Sequence, residues 1–197
     1  PGLTMKQMVG ARKNLTTGGE KISSAVGYTE KKFYTTMTTG RKWHWRLAAN
    51  EVLPGSTGQN FLDQTDVIAD ELKKIFAGRD MPAVYTRAIA EFEQKQPALA
   101  KLISSDDTRK RGAEKCAALL LNQLCRETPA QFVYRLITYE AANYQCLLHS
   151  IYHWTPVFTS VGRLVAVGYW NRDGVHVISL YPRDSLDALS VVLSRRC

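Results

Sequence analysis

Two short stretches near the N-terminus interleave positive charges with aromatic rings. Lysine and arginine neutralise phosphates, and bases stack on tryptophan and tyrosine at about 1–3 kcal/mol each. The combination favours contact with single-stranded nucleic acid or another polyanion. The alternative is that this segment docks by its rings onto its own domain or onto a neighbouring subunit. The residues predicted to bind nucleic acid are Lys31, Lys32, Tyr34, Arg41, Lys42, Trp43, Trp45 and Arg46.

A second group of residues is suited to thiol chemistry. Cys146 precedes His176 in the chain, and Asp173 or Asp184 could orient the imidazole. A cysteine followed later by its histidine also occurs in papain-like hydrolases, but the likeness is one of order alone. Cys146 is predicted inside a helix, away from the N-terminal dipole that would lower a thiol pKa. The alternative function is therefore a thiol hydrolase or transferase, as in secreted effectors and toxins, with Cys146, His176 and Asp184 as catalytic residues.

Two histidines have the spacing of a zinc-binding helix face. His149 and His153 are four residues apart, but no paired CxxC motif supplies further ligands. The simpler interpretation is that these side chains pack against a neighbouring helix, the arm or a partner chain. The chain also has no Walker loop, dinucleotide fingerprint, GxSxG elbow or EF-hand loop. We therefore predict no metal site and no cofactor.

Charge is distributed unevenly along the 197 residues. Residues 1–50 hold nine lysines and arginines against two glutamates, residues 51–107 hold six against ten acidic residues, and residues 108–197 hold eleven against six. The net charge of +8 favours a polyanionic partner, and the run Arg109-Lys110-Arg111 adds to that field. The first fifty residues are rich in Gly, Thr and Ser and end near a Pro54-Gly55 turn. We therefore predict a basic arm (1–50) and a single globular domain (51–197).

Apolar periodicity predicts that the domain is mainly helical. Residues 61–76, 82–94 and 107–124 have helical spacing, and Pro97 is expected to begin a short separate helix. Thr128-Pro129-Ala130-Gln131 matches a capping box, which opens a helix predicted to reach about His153. That helix is long enough to form the spine of the domain.

After Pro156 the pattern changes to that of strands. Residues 161–170 and 175–181 predict a β-hairpin, and both faces of its first strand are apolar, so we expect cover on both sides. Two strands alone are marginally stable, so a third is expected, from the arm around residues 42–47. A last helix is predicted over residues 186–193. The predicted fold class is α+β: a helical bundle with a C-terminal β-hairpin plus helix and a basic, loosely structured N-terminal arm.

Composition limits the class of protein and its location. With 45% hydrophobic residues the chain can bury a core, yet no apolar stretch approaches the roughly 20 residues that span a bilayer. No signal-peptide h-region is visible, and four sparse cysteines favour a reducing compartment, which we expect to be the cytoplasm. We predict a non-enzymatic binding or assembly protein whose arm contacts nucleic acid or a larger complex. A protein partner or a homo-oligomer, with the arm wrapped around a neighbour, is the third possibility.

Overall fold

A computed structural model describes residues 2–12, 32–40, 46–171 and 174–196 of the chain. Its helices are α1 (Met5–Arg12), α2 (Lys32–Thr35), α3 (Phe61–Ile75), α4 (Ala83–Ser104), α5 (Arg109–Ala118), α6 (Leu120–Cys125) and α7 (Pro129–Asn143). Its strands are β1 (Arg46–Ala48), β2 (Tyr152–Phe158), β3 (Leu164–Asn171), β4 (Gly174–Leu180), β5 (Leu189–Ser190) and β6 (Ser194–Arg196).

Four of the strands form a curled, mixed sheet that resembles half of a barrel, in the order β4-β3-β2-β5. β2, β3 and β4 are antiparallel neighbours, whereas β5 lies parallel to β2. β1 and β6 pair antiparallel in a separate two-stranded sheet. The predicted fold class, mainly a helical bundle with a C-terminal hairpin plus helix, is therefore wrong. The hairpin β3–β4 is present, but as one half of the larger sheet.

Helices cover both faces of the four-stranded sheet. Successive residues of a strand point to opposite faces, so Leu164 and Ala166 belong to one hydrophobic cluster, while Val165 and Val167 belong to a second. Residues of α3, α4, α5 and α6 complete the first cluster, and residues of α1, α2 and α7 complete the second. The prediction that this strand is covered on both sides is confirmed.

The described parts of the arm pack against the domain, so these parts are not loosely structured. Four of its apolar side chains enter the second cluster, beside the valines of β3 and β4. Burial of each such side chain stabilises the folded state by about 1.5–3 kcal/mol, which is enough to hold these short segments on the sheet. The boundary at residue 50 stays a prediction. The buried side chains are Met5, Met8, Phe33 and Tyr34, each at most 6% exposed.

The helix that begins at the capping box ends at Asn143 rather than near His153. Thr128 and Gln131 bond reciprocally, as predicted: each side chain accepts the backbone N–H of the other. Tyr144 then takes the left-handed conformation, φ 55°, which closes the helix. Residues 152–158 are mostly aromatic and β-branched, and they enter the sheet as β2 because strands accommodate such side chains on two faces.

The helix predicted over residues 186–193 is replaced by extended chain. Residues 189–194 are all buried. A strand between two layers buries consecutive residues, whereas an amphipathic helix buries only a stripe. The third strand beside the hairpin is β2, and the described arm residues Arg46 and Leu47 belong to β1 instead.

Residues 83–104 form one helix, where two were predicted. Pro97 lies inside α4 with its side chain exposed. Proline removes one helical hydrogen bond, but Phe92 before it and Leu99 and Ile103 after it are buried in the same cluster. Their shared burial keeps the two halves in one helix.

Candidate functional site

Three of the eight residues predicted to bind nucleic acid lie in the described part of the chain. Lys32, in α2, is exposed, whereas Tyr34 is only 5% exposed and Arg46, in β1, is half-buried. The structure therefore leaves Lys32, of these three, with its side chain mostly in solvent. The other five, which lie outside the described residues, are Lys31, Arg41, Lys42, Trp43 and Trp45.

The guanidinium of Arg46 joins the ends of two helices. It donates to the backbone oxygens of Leu124 (3.2 Å) and Arg126 (3.4 Å) at the end of α6. It also donates to Gln131 Oε1 (3.4 Å) in the first turn of α7. The last carbonyls of a helix have no partner within that helix, so a cation here satisfies them. Arg46 therefore connects β1 by hydrogen bonds to the junction of α6 and α7.

Gln131 contacts the arm on both sides of residues 41–45. Its Nε2 donates to Thr39 O (3.3 Å), and its Oε1 accepts from Arg46 (3.4 Å). Two residues that bracket this basic and aromatic stretch are therefore held at the same place, the first turn of α7.

A second guanidinium, that of Arg126, lies wholly inside the protein. It donates to Asn122 Oδ1 (2.9 Å), Gln64 Oε1 (3.3 Å) and Phe61 O (3.3 Å) and lies over the Phe61 ring. Within the described part of the chain these acceptors are neutral. Burial lowers the pKa of Arg126 to about 9, which leaves the group charged at neutral pH. Arg126 thus joins α3 to α6 and adds a fixed positive charge to the interior.

His153 is an uncharged ring beside these cations. It stacks on Phe132, with ring centroids 4.7 Å apart, and its Nδ1 accepts a hydrogen bond from Val192 N (3.2 Å). Burial holds the pKa of His153 well below its usual value, and nearby positive charges lower it further. His153 is therefore a core residue of β2, whereas His149 is exposed in the preceding turns. The nearby charges belong to Arg126, Arg135 and Arg46.

His153 is expected to make the protein less stable in acid. Below pH 6.5 the unfolded chain binds a proton at this histidine and the folded chain does not, so stability falls by up to about 1.4 kcal/mol per pH unit. His153→Gln should flatten the slope between pH 6.5 and 4.5 in urea denaturation, even if it lowers stability at every pH. The exposed control, His149→Gln, should leave the slope unchanged. Equal slopes for the wild type and His153→Gln would contradict this account.

Cations from three separate segments meet at one end of the sheet. Arg109, which begins α5, and Arg163, which precedes β3, lie over the ring of Tyr181, 4.5 and 4.7 Å from its centroid. Arg183 donates to Asp106 Oδ1 (2.8 Å), and Arg109 lies 3.5 Å from the same oxygen. Arg109 and Arg163 are like charges against one ring, so an anion bound nearby would reduce their mutual repulsion.

The turn between β2 and β3 connects this cluster to the arm. Gly162, with φ 77°, packs on the first turn of α5, where a Cβ would lie 2.4 Å from Lys110 Cα. The same turn lines a groove of about 440 Å³ whose opposite wall is formed by Lys32, Phe33 and other residues of the arm. Lys32 and the cluster therefore lie on two sides of one turn. We name this surface the basic end: Lys32, Arg109, Lys110, Arg163 and Arg183.

The residues predicted for thiol chemistry lie in different parts of the structure. Cys146 is exposed between α7 and β2, and His176 is half-buried in β4. Asp184 Oδ2 accepts from Tyr181 N (2.8 Å), just beyond the end of β4. At about 3.3 Å per residue, Tyr181 is about 16 Å from His176 along the chain, so the structure does not bring Asp184 to that imidazole. A catalytic role for Cys146 stays a prediction.

His176 belongs to a cluster of three rings. The Tyr169 ring stacks on that of Tyr152, with centroids 5.3 Å apart and planes 15° apart, and meets His176 edge-on at 5.9 Å. Tyr169 is 37% exposed. This group, which we name the ring cluster, lies at the opposite end of β4 from Tyr181.

Sequence reasoning did not single out five residues that these sites contain. Arg163 and Arg183 are isolated cations in the sequence, and Tyr152, Tyr169 and Tyr181 lie within segments predicted as a helix or as strands. Arg109 and Lys110, by contrast, stand in a visible basic run. Only the sequence of that run carried a local signal.

Wider features complete the description of the site. Within the described residues, no three or more His, Cys, Asp or Glu side chains are grouped as metal ligands would be. No helix in that part of the chain is long and apolar enough to cross a membrane. Comparison with protein-family models, curated proteins and solved structures gives no match for this chain.

Proposed function

We propose that this protein is a non-enzymatic binder of single-stranded nucleic acid, and that the basic end holds the phosphates. The observation that carries the proposal is the convergence of Arg109, Arg163 and Arg183 around Tyr181 and Asp106. Arg109 and Arg183 share the carboxylate of Asp106, and Arg163 lies over the same Tyr181 ring as Arg109, so three cations from separate segments lie together. Phosphates of a single strand would pair with these cations, and the release of the strand's counterions favours binding.

The start of α5 supports the same interpretation. The positive end of its helix dipole coincides with Arg109, Lys110 and Arg111, and its first turn has no acidic residue. Each cation at such a position is unfavourable by about 0.3–1 kcal/mol. The N-cap residue, Thr108, gives no side-chain cap, and its hydroxyl donates to Leu102 O (2.7 Å). An anionic ligand bound at the start of α5 would offset the unfavourable interaction between these cations and the helix dipole.

The arm extends the proposed surface. Lys31 adjoins Lys32, and Arg41 follows the groove residue Met37 by four residues, at most about 14 Å of chain. We assign two roles: Tyr34 and Arg46 hold the arm on the domain, because one is buried and the other bonds to helix ends. The residues assigned to contact the strand are Lys31, Lys32, Arg41, Lys42, Trp43 and Trp45.

Binding of a fluorescein-labelled dT20 oligonucleotide, followed by anisotropy between 50 and 300 mM salt, tests the proposal. For single strands the logarithm of affinity falls with that of salt by about 0.7 per phosphate neutralised. The triple variant Arg109→Gln, Arg163→Gln, Arg183→Gln should reduce this slope by about 2 and weaken binding at 50 mM salt by roughly 10- to 100-fold. Arg41→Gln with Lys42→Gln should reduce the slope by about 1.4.

A matched control removes the same charge elsewhere. Lys73, Lys74 and Lys95 form ion pairs with glutamates of α3 and α4. Their triple change to glutamine should leave the slope as it is. A wild-type protein that does not bind at 50 mM salt, or binds with a flat salt dependence, would refute the proposed function. An unchanged salt slope for the variant Arg41→Gln with Lys42→Gln alone would show that the arm does not take part in binding the strand.

A further inference from the structure

A glycine in β3 separates two of the three rings in the ring cluster. Tyr152, Gly168 and His176 are register partners across β2, β3 and β4. A Cβ on Gly168 would lie 2.0 Å from Ile151 O, so this position cannot carry a side chain. Tyr152 and His176 therefore stand on either side of a bare backbone position, two strand spacings or about 10 Å apart.

The following residue, Tyr169, is turned onto the same face. Neighbours in a strand normally point to opposite faces, so Tyr169 would ordinarily point away from these rings. The register shifts between Gly168 and Asn171, and Tyr169 has a φ of 52°. A bulge of this kind redirects a side chain, here onto Tyr152 and His176. Positive φ is unfavourable for tyrosine, and backbone strain of this kind is concentrated at functional sites.

The ring of Tyr169 is held in one place and is also partly exposed to solvent. Its ring is fixed by stacking on Tyr152 and by the edge contact with His176, and its N–H donates to Ile151 O (2.7 Å). More than a third of the residue still faces solvent. A ring held in this way can accept a flat partner with little further loss of side-chain freedom. Aromatic side chains on sheets stack bases of single-stranded nucleic acid by this means.

We propose that the ring cluster stacks an unpaired base of the strand whose phosphates the basic end holds. This inference rests on the proposed function, since the positive charge at the other end of β4 is what selects a nucleic-acid strand as the occupant. The ring cluster and the basic end are about 16 Å apart along β4. At about 3.4 Å per stacked nucleotide, five or more nucleotides reach from one to the other.

Substitution of Tyr169 separates stacking from charge. Tyr169→Ala should weaken binding of fluorescein-labelled dT12 by about 5- to 100-fold without changing the salt slope, because a stacked base carries no phosphate charge. Tyr169→Phe should bind as the wild type does, since it retains the ring. On a 12-nucleotide abasic strand Tyr169→Ala should bind as the wild type does, because no base is present to stack on the ring. Tyr134, 46% exposed on α7, supplies the control Tyr134→Ala, which should bind normally.

The outcomes distinguish this inference from the proposed function. Should Tyr169→Ala bind dT12 as tightly as the wild type, with the salt slope intact, base stacking here is refuted and binding by the basic end stands. Absence of any dT12 binding by the wild type at 50 mM salt overturns both. If Tyr169→Ala does not fold, Tyr169→Leu is used instead: it keeps apolar volume without a π face, and the same loss is expected.

Discussion

Gly168→Ala is expected to lower the free energy of unfolding by about 3–5 kcal/mol. The added Cβ would lie 2.0 Å from Ile151 O, so β2 and β3 would have to separate at the centre of the sheet. The backbone at Gly168 also has φ 148°, which side-chain-bearing residues rarely adopt. The sheet itself supports both the basic end and the ring cluster. Urea denaturation of the wild type and the variant measures the change.

A second glycine distinguishes the steric clash from backbone strain. Gly78 has φ 74°, but a Cβ there would have no atom within 4 Å. Gly78→Ala should therefore cost only the strain, about 1–2 kcal/mol. If the two substitutions destabilise the protein equally, the close approach of β3 to Ile151 is not what requires glycine at position 168.

Trp154→Ala is expected to destabilise the protein by about 3–5 kcal/mol. Trp154 is fully buried in β2, with its ring edge-on to Phe61 of α3 at 5.6 Å. Truncation leaves a cavity between the sheet and the helices of the first cluster, and well-packed surroundings fill such a cavity only in part. Urea denaturation gives the difference in the free energy of unfolding.

Trp154→Phe should cost much less, under about 1.5 kcal/mol. The indole Nε1–H is buried without a hydrogen-bond partner in the described part of the chain. Phenylalanine loses volume but also removes that unsatisfied donor, and the two effects offset each other. Tyr144, 93% exposed, provides a surface control, because Tyr144→Ala should change stability by less than about 0.5 kcal/mol. A Trp154→Ala variant as stable as Tyr144→Ala would contradict the packing described for β2.

Local patterns predicted the elements whose residues interact over three or four positions. α3 was expected over residues 61–76 and spans Phe61–Ile75, and the capping box of Thr128 and Gln131 forms as expected. Hydrogen bonds and side-chain contacts within one helical turn involve residues that are close in sequence. The chain alone therefore contains the information for these elements.

Residues 144–153 and 186–193 were misassigned for the opposite reason. Their apolar residues are dense enough to fit a helical wheel, but residues 144–151 form turns, Tyr152 and His153 enter a sheet, and residues 189–193 are buried extended chain. β2 pairs with β3 and β5, and β6 pairs with β1 from the arm. Pairing with other segments of the chain, 150 residues away for Arg46 and Arg196, decides such stretches, and no local window contains that information.

The same distinction between local sequence and tertiary structure applies to the candidate sites. Composition alone indicated a basic arm and a polyanionic partner, because charge is a property of residue types. Which cations remain in solvent depends on packing: Lys32 is exposed, whereas Arg46 bonds to the ends of α6 and α7. The meeting of Arg109, Arg163 and Arg183, and the turning of Tyr169 onto Tyr152, follow from strand register and a bulge. Electrostatic and stacking energies depend on distances in space, so residue types could be read from the chain while their juxtaposition came only from the folded sheet.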